Sequence, residues 1–264
     1  MGKIDFFIGP CMLESKSLAE EVAGRVQEAL SGFPEVQLTF KGSFDKANRT
    51  SIDSYRGPGI EKGLKILSDI KKDLGLQIIT DFHLPEQADE VASVCDVIQV
   101  PAFLCRQTDL IVAGAEACKK YGRRIKVKKG QFLAPEQTGN IVAKIKNFLP
   151  LDQILLTERG TCFGYGNLVV DMSSFQIMKS FGVKTIHDCT HSVQMPGGNG
   201  ATTGGKREQI EVLTLAAAAA GADGFFMEAH PNPDKALSDA SSQIKVENVA
   251  GIVAKIIKIK RALL

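Results

Sequence analysis

A short apolar run followed by an amphipathic stretch recurs eight times along these 264 residues. The runs fall at residues 6–9, 36–41, 77–81, 97–100, 125–129, 153–157, 184–188 and 224–228. Most are rich in apolar and β-branched residues without strict alternation, the pattern of strands buried on both faces. Helical periodicity lies between them, at 17–30, 60–74, 110–121 and 172–181. Gly32, Gly75, Gly122, Gly182 and Gly221 stand where a left-handed residue would close a helix. The alanines at 216–220 read as a helix pressed close to a sheet. Strand alternating with helix demands a parallel sheet. Eight repeats without a linker point to an α/β fold, a (β/α)8 TIM barrel forming one catalytic domain over residues 1–264. No GxGxxG follows the first run, which argues against an open dinucleotide-binding sheet.

Bulk properties narrow the function classes. The chain is 44% hydrophobic, enough for a large core, and its net charge of +2 offers nothing to nucleic acid or an anionic membrane. No apolar run is long enough to cross a bilayer. Residues 1–5 lack a basic segment leading into an apolar one. The Met-Gly start has Phe6 where a myristoylation signal needs Ser or Thr. The expectation is a soluble cytoplasmic protein that spans no membrane. Cys11, Cys95, Cys105, Cys118, Cys162 and Cys189 form no CxxC pair. Most are expected to be small buried hydrophobes, with one or two left as ligands or nucleophiles.

Polar chemistry gathers at the C-terminal ends of the runs: Cys11; Lys41; Asp81 and His83; Gln99; Lys128 and Lys129; Glu158 and Arg159; Asp188 and His191; Glu228 and His230. One such residue would be an ordinary surface charge. Eight in succession mark the active-site face of a barrel.

Three subsets separate by chemistry. Lys41, Lys46, Arg49, Lys128, Lys129 and Arg159 would converge around a concave mouth, suited to more than one phosphate or carboxylate. One of Lys128 and Lys129 is expected to be solvated, because neighbours on a strand face opposite ways. Cys11, His191, Glu228 and Asp239 form a mixed soft and hard donor set compatible with zinc, iron(II), manganese or cobalt. His187 precedes His191 by four residues, but it falls inside a strand, where that spacing has no helical meaning. The stretch PGGNGATTGG at 196–205 reads as a lid closing over substrate rather than a disordered surface loop.

Longer segments carry a resemblance. GPCMLES (9–15) is similar to the start of the phosphoenolpyruvate-using aldolase-like synthases. FKGSFDKANRTS (40–51) resembles the 3-deoxy-D-manno-octulosonate 8-phosphate (KDO 8-phosphate) synthases in particular. So do TDFH (80–83), QVPAFLCRQTDL (99–110), VKKGQFLAP (127–135), LTERGTCFGY (156–165), DCTHSVQMPGG (188–198) and MEAHPNPDKALSDASSQ (227–243). The resemblance spans nearly the whole chain. It implies a TIM barrel, usually a homotetramer. The implied reaction joins phosphoenolpyruvate to D-arabinose 5-phosphate and water, giving KDO 8-phosphate and inorganic phosphate for the lipopolysaccharide inner core.

It also implies residue roles. Phosphoenolpyruvate falls to Lys41, Lys129 and Arg159, with Ala102 and Phe103 lining the site; Ser43, Gln99 and Gln194 are further substrate-binding candidates. Lys46, Asn48, Arg49 and Thr50 serve the sugar phosphate; Thr50 stands where the family usually has Ser and keeps the hydroxyl. Arg106 is expected to reach a neighbouring subunit's site. Lys46, Asp81, His83 and Glu228 are the candidates for moving protons, none ranked first. Part of the family has Asn in place of Cys11 and works without metal. Cys11 therefore implies the metal-dependent branch, with His191, Glu228 and Asp239 as the other ligands of a divalent ion. The sister synthase that makes 3-deoxy-D-arabino-heptulosonate 7-phosphate from erythrose 4-phosphate usually carries a KPRT-type segment where this chain has KANRT. Sialic acid synthase normally has a further domain for which no room remains. A catalytically dead barrel kept as a scaffold is the reading from another class.

Overall fold

The structure is a computed structural model that describes residues 2–199 and 202–264. Eight parallel strands close into a barrel: β1 (Ile4–Gly9), β2 (Val36–Lys41), β3 (Gln77–Asp81), β4 (Val97–Val100), β5 (Arg124–Lys128), β6 (Ile154–Glu158), β7 (Lys184–Asp188) and β8 (Gly224–His230). They pair in chain order, and β8 returns to β1 with Phe7 opposite Phe226 and Gly9 opposite Glu228. A two-residue strand, Ile244–Lys245, adds to β8 beyond the ring. Closure leaves the barrel with no unpaired edge.

The outer layer is built from α1 (Lys16–Leu30), α2 (Ile60–Leu74), α3 (Ala88–Val94), α4 (Thr108–Tyr121), α5 (Gly139–Ile145), α6 (Ser174–Lys179), α7 (Ile210–Ala219) and α8 (Val249–Ala262). In α1 the buried residues Ala19, Val22, Ala23, Val26 and Leu30 follow the helical period and form one stripe against the strands. Ser15 caps that helix by accepting from the Leu18 amide at 3.1 Å. The expected left-handed closures hold at Gly75, Gly122, Gly182 and Gly221. Gly32 departs from them: α1 ends on right-handed Ser31, whose hydroxyl and amide both bond the Glu28 carbonyl. No left-handed residue is needed there.

The inward side chains form three layers. At the bottom, Asp5 takes Arg124 and Lys184. The middle is an apolar cluster of Phe7, Ile79, Val97, Leu155, Ile186 and Phe226. The top carries Lys41, Asp81, Gln99, Lys128, Asp188 and Glu228, all buried. This layering follows from period two along each strand, and the top layer opens toward the loops after the strands.

Two pieces of local structure lie outside the sequence expectations. Thr161–Cys162 pairs with Leu168–Val169 as a small antiparallel hairpin after β6. The glycine-rich stretch also forms a hairpin, with Gln194 opposite Gly205, Met195 opposite Gly204 and Asn199 opposite Thr202. Of the expected lid at 196–205, Gly200 and Ala201 lie outside the described residues.

Candidate active site

A cavity of about 580 Å³ opens at the C-terminal ends of the strands. Lys41, Lys46, Asn48, Arg49, Thr50, Asp81, His83, Gln99, Ala102, Phe103, Arg159, His191, Gln194, Glu228 and Asp239 all line it. Close approach of β1 to β2 at this rim requires Gly9, because a Cβ there would overlap the Lys41 carbonyl oxygen.

Four residues of the expected site stand elsewhere. Cys11 and Ser43 are buried behind the lining. Arg106 is exposed at the edge of the loop after β4, its carbonyl accepting from Lys144. Lys129 is fully buried and turned away: its amine reaches Thr161 Oγ1 at 2.8 Å, the Leu133 carbonyl at 3.2 Å and Glu158 at 3.5 Å. Lys128 takes the inward place and lines the cavity. The expectation that one of these two lysines is solvated therefore fails, for both are buried. They do face opposite ways, but the loop after β5 and the hairpin after β6 cover the outward one.

The cationic and anionic groups are interleaved. Lys41 bonds Glu228 Oε1 at 2.6 Å and the Cys11 carbonyl at 2.7 Å. Lys128 bonds Asp188 at 2.7 Å. Lys46 lies 3.8 Å from Glu228 and 3.9 Å from Asp81. Burial pulls the Lys46 amine down, but the surrounding Cys11, Glu228, Asp81 and Asp239 outweigh it and hold the ammonium well above its ordinary range. Burial would raise Asp81, yet Lys46, Lys41 and Lys128 hold its carboxyl far below the usual carboxylate range. Burial keeps the His83 imidazole below its ordinary value, so it is neutral near pH 7. Arg159 donates to Gln194 Oε1 at 2.8 Å, while its Nη1 is buried and without a hydrogen-bond partner.

Beside this basin the candidate metal ligands meet. Donor atoms of Cys11, Glu228 and Asp239 lie within 4.8 Å of one another. His191 Nε2 is 3.6 Å from Glu228 Oε2 and 3.6 Å from Asp239 Oδ2. Asp188 holds the other ring nitrogen of His191 at 3.0 Å, which aims Nε2 at the cluster. Asp239 is the only non-glycine among the described residues with positive φ, at 49°, a conformation aspartate tolerates and functional sites collect. Glu228 Oε2 is buried with no hydrogen-bond partner. Burial, then Glu228, pushes the Cys11 thiol well above its ordinary range. A thiol, an imidazole and two carboxylates with an orphaned buried oxygen fit a four-ligand divalent cation.

Sequence reasoning missed two supporting residues. Gln243 ties the Cys11 amide, at 3.2 Å, to the Ser238 carbonyl, at 2.8 Å, and so joins the segments that carry two donors. No local signal marks it. Lys126 lies beneath the floor, fully buried, two residues before Lys128. Period two along β5 was the available signal for it.

A family model described as the DAHP synthetase I family matches residues 2–263. The chain belongs to this family. Similar curated members include the 2-dehydro-3-deoxyphosphooctonate aldolase of Desulfotalea psychrophila, 50% identical over 254 residues, covering 96% of this chain and 89% of the relative. The protein of that name from Nitratidesulfovibrio vulgaris is 50% identical over 248 residues, 94% of this chain and 89% of the relative. Its counterpart in Pelobacter propionicus is 50% identical over 246 residues, 93% and 88% respectively. The family match thus spans every strand of the barrel and every loop of the site.

Proposed function

We propose that the chain is a transferase that condenses phosphoenolpyruvate with D-arabinose 5-phosphate and water, yielding KDO 8-phosphate and inorganic phosphate for lipopolysaccharide synthesis. One catalytic barrel over 1–264 performs it. The observation that carries the reading is the convergence of two cationic groups on one cavity: Lys46 and Arg49 after β2, and Lys128 and Arg159 at the ends of β5 and β6. In a ring of eight strands β2 and β6 stand opposite each other, so the cavity can hold two phosphorylated substrates face to face. The octonate name of relatives 50% identical favours arabinose 5-phosphate over erythrose 4-phosphate.

In this reading Lys41, Lys128 and Arg159 hold the phosphate and carboxylate of phosphoenolpyruvate. Lys129 braces that wall through Thr161 and Glu158. Asn48, Arg49 and Thr50 hold the sugar phosphate. C3 of phosphoenolpyruvate then faces the aldehyde carbon, and much of the rate gain is positional. The C3–C1 bond forms as water adds at C2. The resulting acyclic bisphosphorylated hemiketal releases inorganic phosphate by C–O cleavage. Lys46, held as an ammonium, can give the aldehyde oxygen its proton. Asp81, held as a carboxylate, and neutral His83 can accept the proton that water loses. Cys11, His191, Glu228 and Asp239 would hold a divalent ion such as zinc, iron, manganese or cobalt. When bound, that ion polarises an oxygen or lowers the pKa of water.

The resemblance further supports a cytoplasmic homotetramer in which exposed Arg106 serves a neighbouring site. No helix among the described residues is long and apolar enough to cross a membrane. The deciding assay is phosphate release from phosphoenolpyruvate with arabinose 5-phosphate or erythrose 4-phosphate, each with and without EDTA. Turnover of arabinose 5-phosphate alone, lost with EDTA and restored by a divalent metal, is expected. Preference for erythrose 4-phosphate overturns the substrate. EDTA-resistant activity overturns the metal.

A further inference from the structure

Lys126 has no place in that mechanism, yet it sets an amine against the apolar middle layer of the barrel. It is fully buried on β5, inward like Lys128 two residues later. Its amine stands 4.6 Å from the centroid of the Phe226 ring and 5.5 Å from that of Phe7. Among the described residues no carboxylate lies within ion-pair distance of it. An amine placed among apolar side chains opposes folding unless it is hydrogen-bonded. Its hydrogen bond is to Gln99 Oε1, at 2.6 Å.

That bond has a directional consequence. A primary amide has two chemically distinct ends, and an amine donor next to one end selects the carbonyl oxygen for that side. Gln99 must therefore turn its Nε2 toward Asp81, and it donates there to Asp81 Oδ1. The second oxygen of Asp81 accepts from Ser43 Oγ at 2.7 Å. Ser43 Oγ in turn accepts from the Lys46 amine at 2.9 Å. Donors thus converge on Asp81 from both sides: Lys126 acts through Gln99 on one side, and Lys46 through Ser43 on the other. Burial, then Lys128, pushes the Lys126 amine well below its ordinary range, but the group donates to Gln99 whether charged or neutral.

We infer that Lys126 is a positioning residue for the condensation: by fixing the Gln99 amide it sets the Asp81 carboxylate, and through Asp81 and Ser43 the Lys46 ammonium, against the aldehyde. The inference takes the identity of the reaction from the proposed function, but the hydrogen-bonded chain stands without it. A competing role is electrostatic. Lys41 and Lys128 also lie over the Phe226 ring, at 5.5 and 4.0 Å, so Lys126 could act as one more charge beneath the phosphoenolpyruvate. The two roles predict different kinetics.

The test is a cycle of Lys126→Met, which keeps the apolar stem and removes the donor, with Gln99→Leu and the double variant. Each is assayed with phosphoenolpyruvate and whichever aldehyde the wild type turns over. Lys126→Met is expected to lower kcat about 10- to 100-fold, with KM for phosphoenolpyruvate within about threefold. The double variant should be no slower than Gln99→Leu alone, because the two residues act in series. Lys126→Gln retains a donor and should recover part of kcat; it also serves if Lys126→Met fails to fold. A higher KM for phosphoenolpyruvate at unchanged kcat, or additive losses in the double variant, overturns positioning in favour of charge. A crystal structure of the Met or Gln variant decides independently of any substrate. Displacement of the Gln99 amide and the Lys46 amine is expected in the Met variant, and both unmoved would overturn the inference. A wild type that prefers erythrose 4-phosphate sinks the proposed substrate while leaving cycle and structure decisive for Lys126.

Discussion

The two rims of the barrel interior are built by the same eight strands, and both are polar, but only one is closed. At the bottom, Asp5 is 1% exposed and splits its oxygens between Arg124 and Lys184, each at 2.8 Å. Arg124 also donates to Gln77, which accepts from Thr39. That end is a plug. At the top, Glu228 Oε2 and Arg159 Nη1 are buried with no hydrogen-bond partner, and a cavity of about 580 Å³ stands over them. Folded proteins rarely leave buried polar atoms unpaired, so an open rim above a closed one marks where another group comes to bind.

The largest effects are expected at the top rim. Cys11→Asn is expected to remove bound metal and to lower kcat/KM about a thousandfold together, read by metal analysis and phosphate release. Metal content unchanged in that variant removes Cys11 from the ligand set. Next comes the lysine pair. Lys128→Ala should cost about 100-fold in kcat/KM for phosphoenolpyruvate and also lower Tm, because buried Asp188 keeps only His191 as an ion partner. Lys129→Ala should lower Tm likewise but cost less than about tenfold in activity, because buried Glu158 loses its cation while the cavity lining is kept. Reversed effects would return Lys129 to the substrate.

At the bottom the effect should be on stability alone. Asp5→Ala is expected to destabilise by about 2–3 kcal/mol, less than a fully buried pair, because Lys184 is 44% exposed. Its kcat/KM should stay within about twofold. A large catalytic loss would mean that the rims are not independent. The smallest effect concerns neither rim. His187 on β7 has both ring nitrogens buried and unpartnered, and burial lowers its pKa from 6.5 to about 4. The folded state keeps it neutral while the unfolded chain binds a proton, so stability falls as pH drops from 6.5 toward 4. At pH 5 the loss attributable to this group is about 2 kcal/mol, and His187→Gln should flatten that part of the acid limb in thermal melts.

Much of the fold was legible from local pattern. β2, β3, β4 and β7 begin and end where the apolar runs do, and the other four differ at one or both ends. α6 is shorter than its periodic stretch, ending at Lys179 rather than at 181. The glycine-rich stretch shows the limit of such reading. Its composition speaks against core packing, yet its arms pair as a hairpin, because antiparallel hydrogen bonds need backbone and not apolar side chains.

By itself the sequence determined the eight-fold alternation, the polar residues at the strand ends, and the donor types Cys11, His191, Glu228 and Asp239. Those properties are local: period two, period 3.6 and residue chemistry suffice for them. Only the tertiary structure decided that Lys128 enters the cavity while Lys129 is sealed against Thr161, that Gln243 joins the Cys11 and Ser238 segments, and that Lys126 orients Gln99. Each of these depends on which distant loop or strand covers a side chain. Ring closure sets that cover, and it joins residues as far apart in the chain as Gly9 and Glu228.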